Sequence, residues 1–269
     1  MPAVAVNGIE IHYEVSGAGP TLVWLHGLMG SIARARTMGE GMERLADRGF
    51  RVVTYDARGH GESGYSEDES HYTWEAHARD MAALIDHLGI ERASVGGGSM
   101  GAGVSLTFAL AHPERVEKLV LVALPGFDGE IEVARQLFGG FATLIATVGL
   151  EQATEIAMQL PQLQELKERA PGEYEATRQW FLALDPKATV VAIRGLLNGP
   201  PLPAARLGEV RAASLVIGHP DDPVHPASSA ERAHAAIAGS RLIMGRDVNY
   251  FREQREELIG AVASFLAEG

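Results

Sequence analysis

The sequence predicts an α/β fold: eight strands in a mostly parallel sheet, helices on both faces, and a helical cap inserted late in the chain. Apolar runs of strand length recur as TLVWL, RVVTYD, ASVGG, KLVLVAL, SLVIG and RLIM, with stretches of helical period between them. That alternation marks a parallel sheet, because each parallel crossover lays a helix on one face. Almost ninety residues then separate the run ending near Leu124 from the run starting near Ser214. A simple crossover needs far fewer, so an insertion sits there.

The elements follow in order. Two short alternating runs, AVAV and IEIHYEV, flank Asn7-Gly8, a dipeptide that adopts the positive φ angles of a tight hairpin turn, and they supply the first two strands. A turn at Gly17 to Pro20 leads into TLVWL, the third. The clearest helical periods run from Trp74 to Leu88, Ser99 to Ala111 and Phe251 to Leu266. Within the insertion, Pro161, Pro171, Pro186 and Gly199-Pro200-Pro201 punctuate several amphipathic helices. The expected division is a core of 1–124 and 211–269, with a cap of 125–210. Its Phe138, Phe141, Met158, Trp180 and Phe181 are candidates to line a substrate cavity, although such stripes equally suit the cap's own packing.

Composition narrows the function. With 46% apolar residues over 269 positions the chain can bury a substantial core. A net charge of −12, with acidic residues spread throughout, disfavours nucleic acid and anionic membrane surfaces as partners. There is no cysteine, which excludes disulfides, thiolate nucleophiles and thiolate metal sites and fits a reducing compartment. The opening MPAVAVNGIEIHYEV has no basic segment followed by an apolar run. The expectation is a soluble, cytoplasmic protein with a small-molecule substrate and no cofactor, for which a homodimer is an admissible assembly.

The chemistry centres on Val95 to Gly103, VGGGSMGAG. Gly96, Gly98 and Gly101 match the dinucleotide spacing G-x-G-x-x-G, but the next strand run, KLVLVAL, ends without the acidic residue that holds a ribose. No G-K-[ST] serves phosphate either. Gly97, Ser99 and Gly101 instead spell G-x-S-x-G between a strand and a helix, the sharp turn that exposes a nucleophilic hydroxyl. Two further motifs accompany it: His26-Gly27-Leu28 after the third strand, and Asp56-Ala57-Arg58-Gly59-His60-Gly61-Glu62-Ser63 after the fourth.

With these three motifs in this order, the sequence resembles the α/β-hydrolase fold family over nearly the whole chain outside the cap. The resemblance implies Ser99 as nucleophile, and the backbone N–H groups of Leu28 and Met100, beside Gly27, as the oxyanion and substrate-binding donors. It implies that Asp56 and Arg58 bond loop backbone, that His60 is structural, and that His26 props the oxyanion loop. The run His219-Pro220-Asp221-Asp222-Pro223-Val224-His225-Pro226 looks like the family's acid loop. Counting back from Pro226 selects Asp222 and counting forward from Gly218 selects Asp221; D-P-x-x-P favours Asp222.

The pattern breaks at the base. The family carries its histidine after the last strand, where this chain has Val248 and Asn249, and no histidine follows His234. A serine hydroxyl needs a base to take its proton. Three explanations stand: another histidine substitutes, the chain does no triad hydrolysis, or the sequence has been altered at Val248 or Asn249. Among substitutes His225 is best placed, three residues beyond Asp222; His219 is second, and His234 lies too far along the next helix.

The expected catalytic set is therefore Ser99, Asp222 and His225, with no metal, since H-E-x-x-H is absent. The leading expectation is a cofactor-independent hydrolase of a small, largely apolar ester, thioester or lactone. The alternative is a non-hydrolytic member of the fold, a lyase, cyclase or isomerase of secondary metabolism or a silent ligand-binding protein. Epoxide hydrolases and haloalkane dehalogenases share the fold, but present an aspartate where this chain has Ser99.

Overall fold

The computed structural model describes residues 2–38, 41–247 and 254–268. Eight strands form one sheet: β1 (Ala3–Val6), β2 (Ile9–Ser16), β3 (Thr21–Leu25), β4 (Arg51–Tyr55), β5 (Ala93–Gly98), β6 (Val116–Val122), β7 (Ala213–Gly218) and β8 (Arg241–Met244), in the order β1-β2-β4-β3-β5-β6-β7-β8. The first hairpin closes through Asn7 at φ 46° and Gly8 at φ 83°, as the Asn-Gly signal predicts. β2 is antiparallel to β1 and β4, and the pairs from β4/β3 to β7/β8 are parallel.

Helices cover both faces. α1 (Ile32–Thr37), α2 (Trp74–His87) and α3 (Met100–Ala111) precede the insertion. Within the insertion, α4 (Glu132–Ala134) runs through a π-helical segment, Arg135–Gly139, into α5 (Gly140–Val148), followed by α6 (Leu150–Ala157), α7 (Pro161–Arg169), α8 (Pro171–Leu182) and α9 (Pro186–Asn198). Pro161, Pro171 and Pro186 each open a helix, where the missing N–H costs nothing and φ is already helical. α10 (Ala227–Ala236) and α11 (Arg255–Ala267) complete the described helices. None of the described helices is long and apolar enough to cross a membrane.

The apolar runs are continuous because both faces are covered. Along β3, Val23 and Leu25 pack with α2 and α3 residues such as Met81 and Leu106, while Leu22 and Trp24 pack with Ile259 and Val262 of α11. A third cluster belongs to the insertion, with Phe141, Ile145, Ala153 and Ile193 at its centre and Met29 reaching into it from the loop after β3.

Arg58 corrects an expectation. It bonds a side chain rather than loop backbone: its Nε and Nη2 meet Asp80 of α2 at 2.6 and 2.7 Å, both residues being buried. A guanidinium taken out of water needs a carboxylate partner, and a bidentate one fits its fork geometry.

Candidate active site

Ser99 stands between β5 and α3 at φ 53°, ψ −115°, a conformation that L-residues avoid and that lifts the side chain off the end of the strand. The turn is held by Ser99 N–H donating to the Val122 carbonyl at 2.9 Å. Its tightness explains the flanking glycines. A Cβ at Gly101 would overlap the Leu25 carbonyl oxygen, and one at Gly97 would overlap the backbone of Gly101.

The loop after β7 reaches the same point. Asp221 takes φ 63° and is exposed, while Asp222 turns inward. Asp222 Oδ1 accepts from the backbone N–H groups of Val224 (2.8 Å) and His225 (3.2 Å). Its Oδ2 lies 2.8 Å from His225 Nδ1, and His225 Nε2 lies 2.8 Å from Ser99 Oγ. Burial alone would raise the Asp222 pKa, but the hydrogen bond and charge of His225 and the two backbone amides hold it down to about 2. An ionised carboxylate fixes the tautomer: Nδ1 carries the proton and donates to Asp222, leaving Nε2 to accept from the Ser99 hydroxyl.

Leu28 and Met100 flank the serine. Met100 heads α3, where first-turn N–H groups lack intrahelical partners. Leu28 sits in the turn Gly27 to Gly30, closed by Gly30 N–H donating to the Gly27 carbonyl at 2.9 Å, with Met29 at φ 62°. A Cβ at Gly27 would lie 3.3 Å from Ser99 Cβ, so the turn rests against the serine. His26 accepts from Ala57 N–H at Nε2 (3.1 Å), so its Nδ1–H donates to the Gly27 carbonyl (2.7 Å). Burial lowers the His26 pKa and keeps this ring neutral. His60 bonds the Arg58 carbonyl through Nδ1 and is buried.

Two cavities meet at Ser99. One, of about 250 Å³, is lined by Trp24, His26, Gly27, Arg34 and Arg255 among others. The other, of about 30 Å³, is apolar and lies against Leu28, Met100, Phe138, Leu197 and His225. Of the five apolar insertion residues singled out from sequence, Phe138 alone lines either of them; the Phe141 and Phe181 rings pack tilted with centroids 5.2 Å apart, and Met158 is fully buried. His219, the second candidate base, has its Nε2 3.6 Å from Asp222 Oδ2. The ligand atoms of His219, Asp222 and His225 lie within 4.8 Å of one another, so the three could hold a divalent cation, at the expense of the Asp222–His225 bond. His234 instead bonds Ser240 at the surface. Val248 and Asn249 lie outside the described residues.

Two contacts had no sequence signal: the Arg58–Asp80 pair, and Trp180 Nε1–H donating to the Met29 carbonyl at 2.9 Å. Each joins residues whose spacing carries no periodicity.

The sheet order and the strand–serine–helix turn define a class, and the comparisons agree with it. A family model described as alpha/beta hydrolase fold matches residues 20–148. Among solved structures, the chain superposes on the enol-lactonase from Burkholderia xenovorans LB400 with a TM-score of 0.84 at 26% identity, covering 99% of this chain and 100% of that one. It superposes on a thermophilic esterase from Thermogutta terrifontis with a TM-score of 0.78 at 27% identity, over 98% and 96%. A 2-hydroxy-6-oxononadienedioate/2-hydroxy-6-oxononatrienedioate hydrolase from Paraburkholderia phymatum is 37% identical over 115 residues, 42% of this chain and 40% of that protein. An sn-1-specific diacylglycerol lipase from Mus musculus is 39% identical over 103 residues, 38% of this chain and 32% of the lipase. Over such matches the chain spans about two fifths or less of the curated relatives' length. This chain has the α/β-hydrolase fold, and its residues 20–148 match the model of that family.

Proposed function

We propose that this chain is a cofactor-independent serine hydrolase that cleaves a small, largely apolar ester, thioester or lactone. The observation that carries the reading is the relay Ser99 Oγ, His225 and Asp222, with 2.8 Å at each step. His225 Nε2 takes the Ser99 proton as the oxygen attacks the substrate carbonyl, and Asp222 stabilises the imidazolium that forms. The Leu28 and Met100 N–H groups receive the developing oxyanion, a contribution of roughly 3 to 4 kcal/mol per donor. His225 then protonates the leaving group, and water, activated in turn by His225, releases the acyl group from Ser99.

The base thus comes from the loop after β7, in the same turn as the acid, in place of the family's position after the last strand. The small apolar cavity beside Leu28 and Phe138 suits a short apolar group on one side of the scissile bond, and the larger cavity suits the remainder. The similar structures described above, an enol-lactonase and an esterase, favour the same bond class.

A fluorophosphonate probe tests the reading. Stoichiometric labelling that Ser99→Ala abolishes is the expected result, together with Ser99-dependent turnover of p-nitrophenyl esters. Absence of labelling beside a reactive control hydrolase would overturn it, and tight ligand binding without turnover would favour the non-hydrolytic alternative.

A further inference from the structure

The turn that carries Leu28 is fixed at both of its outer peptides, and one of the two fixings comes from the inserted helices. In the first peptide, the Gly27 carbonyl accepts from Gly30 N–H at 2.9 Å and His26 Nδ1–H at 2.7 Å. A trans peptide points its N–H opposite to its C=O, so these bonds direct Leu28 N–H away from them. In the last peptide, Gly30 N–H is held by Gly27, and the Met29 carbonyl accepts from the Trp180 indole at 2.9 Å. Between them Met29 holds φ 62°, a left-handed conformation that is strained for a residue with a Cβ. Trp180 is itself held: the Arg34 guanidinium lies 4.1 Å from its ring centroid, and Phe181 packs against it at 4.7 Å.

From this geometry we infer that Trp180 is a positioning residue: through its hydrogen bond to the Met29 carbonyl, docked α8 holds the strained turn that aims Leu28 N–H at the oxyanion. The inference rests on the serine-hydrolase reading above. It makes the inserted helices part of the catalytic geometry as well as a roof. With α8 docked, the Met29 carbonyl has its donor and the left-handed turn is supported; without that donor, the turn relaxes toward conformations that a methionine prefers, and the Leu28 N–H swings with it. The effect falls on the transition state, where the carbonyl oxygen gains charge, and leaves ground-state binding largely unchanged.

The test is a double-mutant cycle on an ester substrate. Trp180→Phe keeps an aromatic ring and removes the donor; kcat is expected to fall about tenfold, with KM within about twofold. Trp180→His, which retains a ring N–H, is expected to recover part of the loss. Glycine adopts φ near +60° without strain, so in a Met29→Gly background Trp180→Phe is expected to change kcat less than twofold. Thermal melts check that every variant is folded. An unchanged kcat in Trp180→Phe, a rise confined to KM, or the same fold-loss in both backgrounds would overturn the inference. Should Ser99→Ala retain turnover, the underlying reading fails instead, whatever the cycle shows.

Discussion

His225 presents Nε2 to the Ser99 hydroxyl at 2.8 Å although 126 residues separate the two along the chain. The contact arises because β5 and β7 flank β6, and the loops leaving the ends of the two strands converge on the same edge of the sheet. If His225 is the base, His225→Ala lowers kcat by about three orders of magnitude or more while KM shifts only a few-fold. Steady-state kinetics on a p-nitrophenyl ester decide it, and unchanged turnover would remove His225 from the mechanism.

Asp222 and its neighbour Asp221 give a matched control. Asp222→Asn keeps the shape but exchanges the acceptor Oδ2 for either an amide oxygen or an amide nitrogen, so His225 loses its ionic anchor and its preferred tautomer. A fall in kcat of about 10⁴ is expected. Asp221 is exposed at φ 63°, and Asp221→Asn keeps a residue that tolerates this conformation; kcat is expected within about twofold of the parent. Equal losses in the two variants would contradict the assignment of the acid.

The elbow and the hairpin were legible because each is a local backbone demand that only certain residues meet: Asn7-Gly8 for two positive φ angles, Gly97 and Gly101 for space around Ser99. The turn that carries Asp222, the proposed acid, was legible for the same reason, as Pro223 and Pro226 bracket it and Asp222 faces inward. The Arg58–Asp80 pair was not, because an arginine in a loop and an aspartate on a helix have many partners within reach until the fold brings one close. Nor could sequence separate Trp180 from Phe141: both sit on helical apolar stripes, and one indole N–H finding a carbonyl 151 residues away leaves no periodic trace. The place of His225, the proposed base, was half legible. His225 follows Asp222 by three residues, but its distance to Ser99 is set by sheet topology.

The glycines on either side of Ser99 are not equivalent. A Cβ at Gly98 meets nothing within 4 Å, whereas one at Gly101 overlaps the Leu25 carbonyl and one at Gly97 the Gly101 backbone. Gly98→Ala is therefore expected to shift Tm by no more than a few degrees. Gly101→Ala should either fail to accumulate as folded protein or lose several kcal/mol, because the overlap is with backbone that cannot step aside. Thermal melts of the two purified variants provide the comparison, and similar Tm values would show that the elbow is looser than its geometry implies.

Acid should destabilise the fold well above the usual carboxylate range, through buried histidines. Burial, with the neighbouring His26 ring, pulls the His60 pKa down to about 3, and burial likewise holds His77 and His26 below their ordinary value. Between pH 6.5 and about 3, the unfolded chain therefore binds a proton at position 60 that the native state refuses. Stability contributed by the neutral ring is complete above 6.5 and falls with pH inside that window, by about 1.4 kcal/mol per pH unit for each such group. Asp222 adds a later loss of the same sign: its folded pKa is depressed from 3.8 to about 2, so its contribution is present above 3.8 and disappears as pH falls through about 2. Denaturant melts between about pH 7 and pH 4 should thus show a steep decline in unfolding free energy, made shallower by about one proton in His60→Gln. That variant carries no titrating ring but keeps an amide N–H for the Arg58 carbonyl, which His60 Nδ1 contacts at 2.9 Å. Parallel curves for parent and variant would mean that His60 is protonated in the folded state, and that the acid sensitivity arises elsewhere.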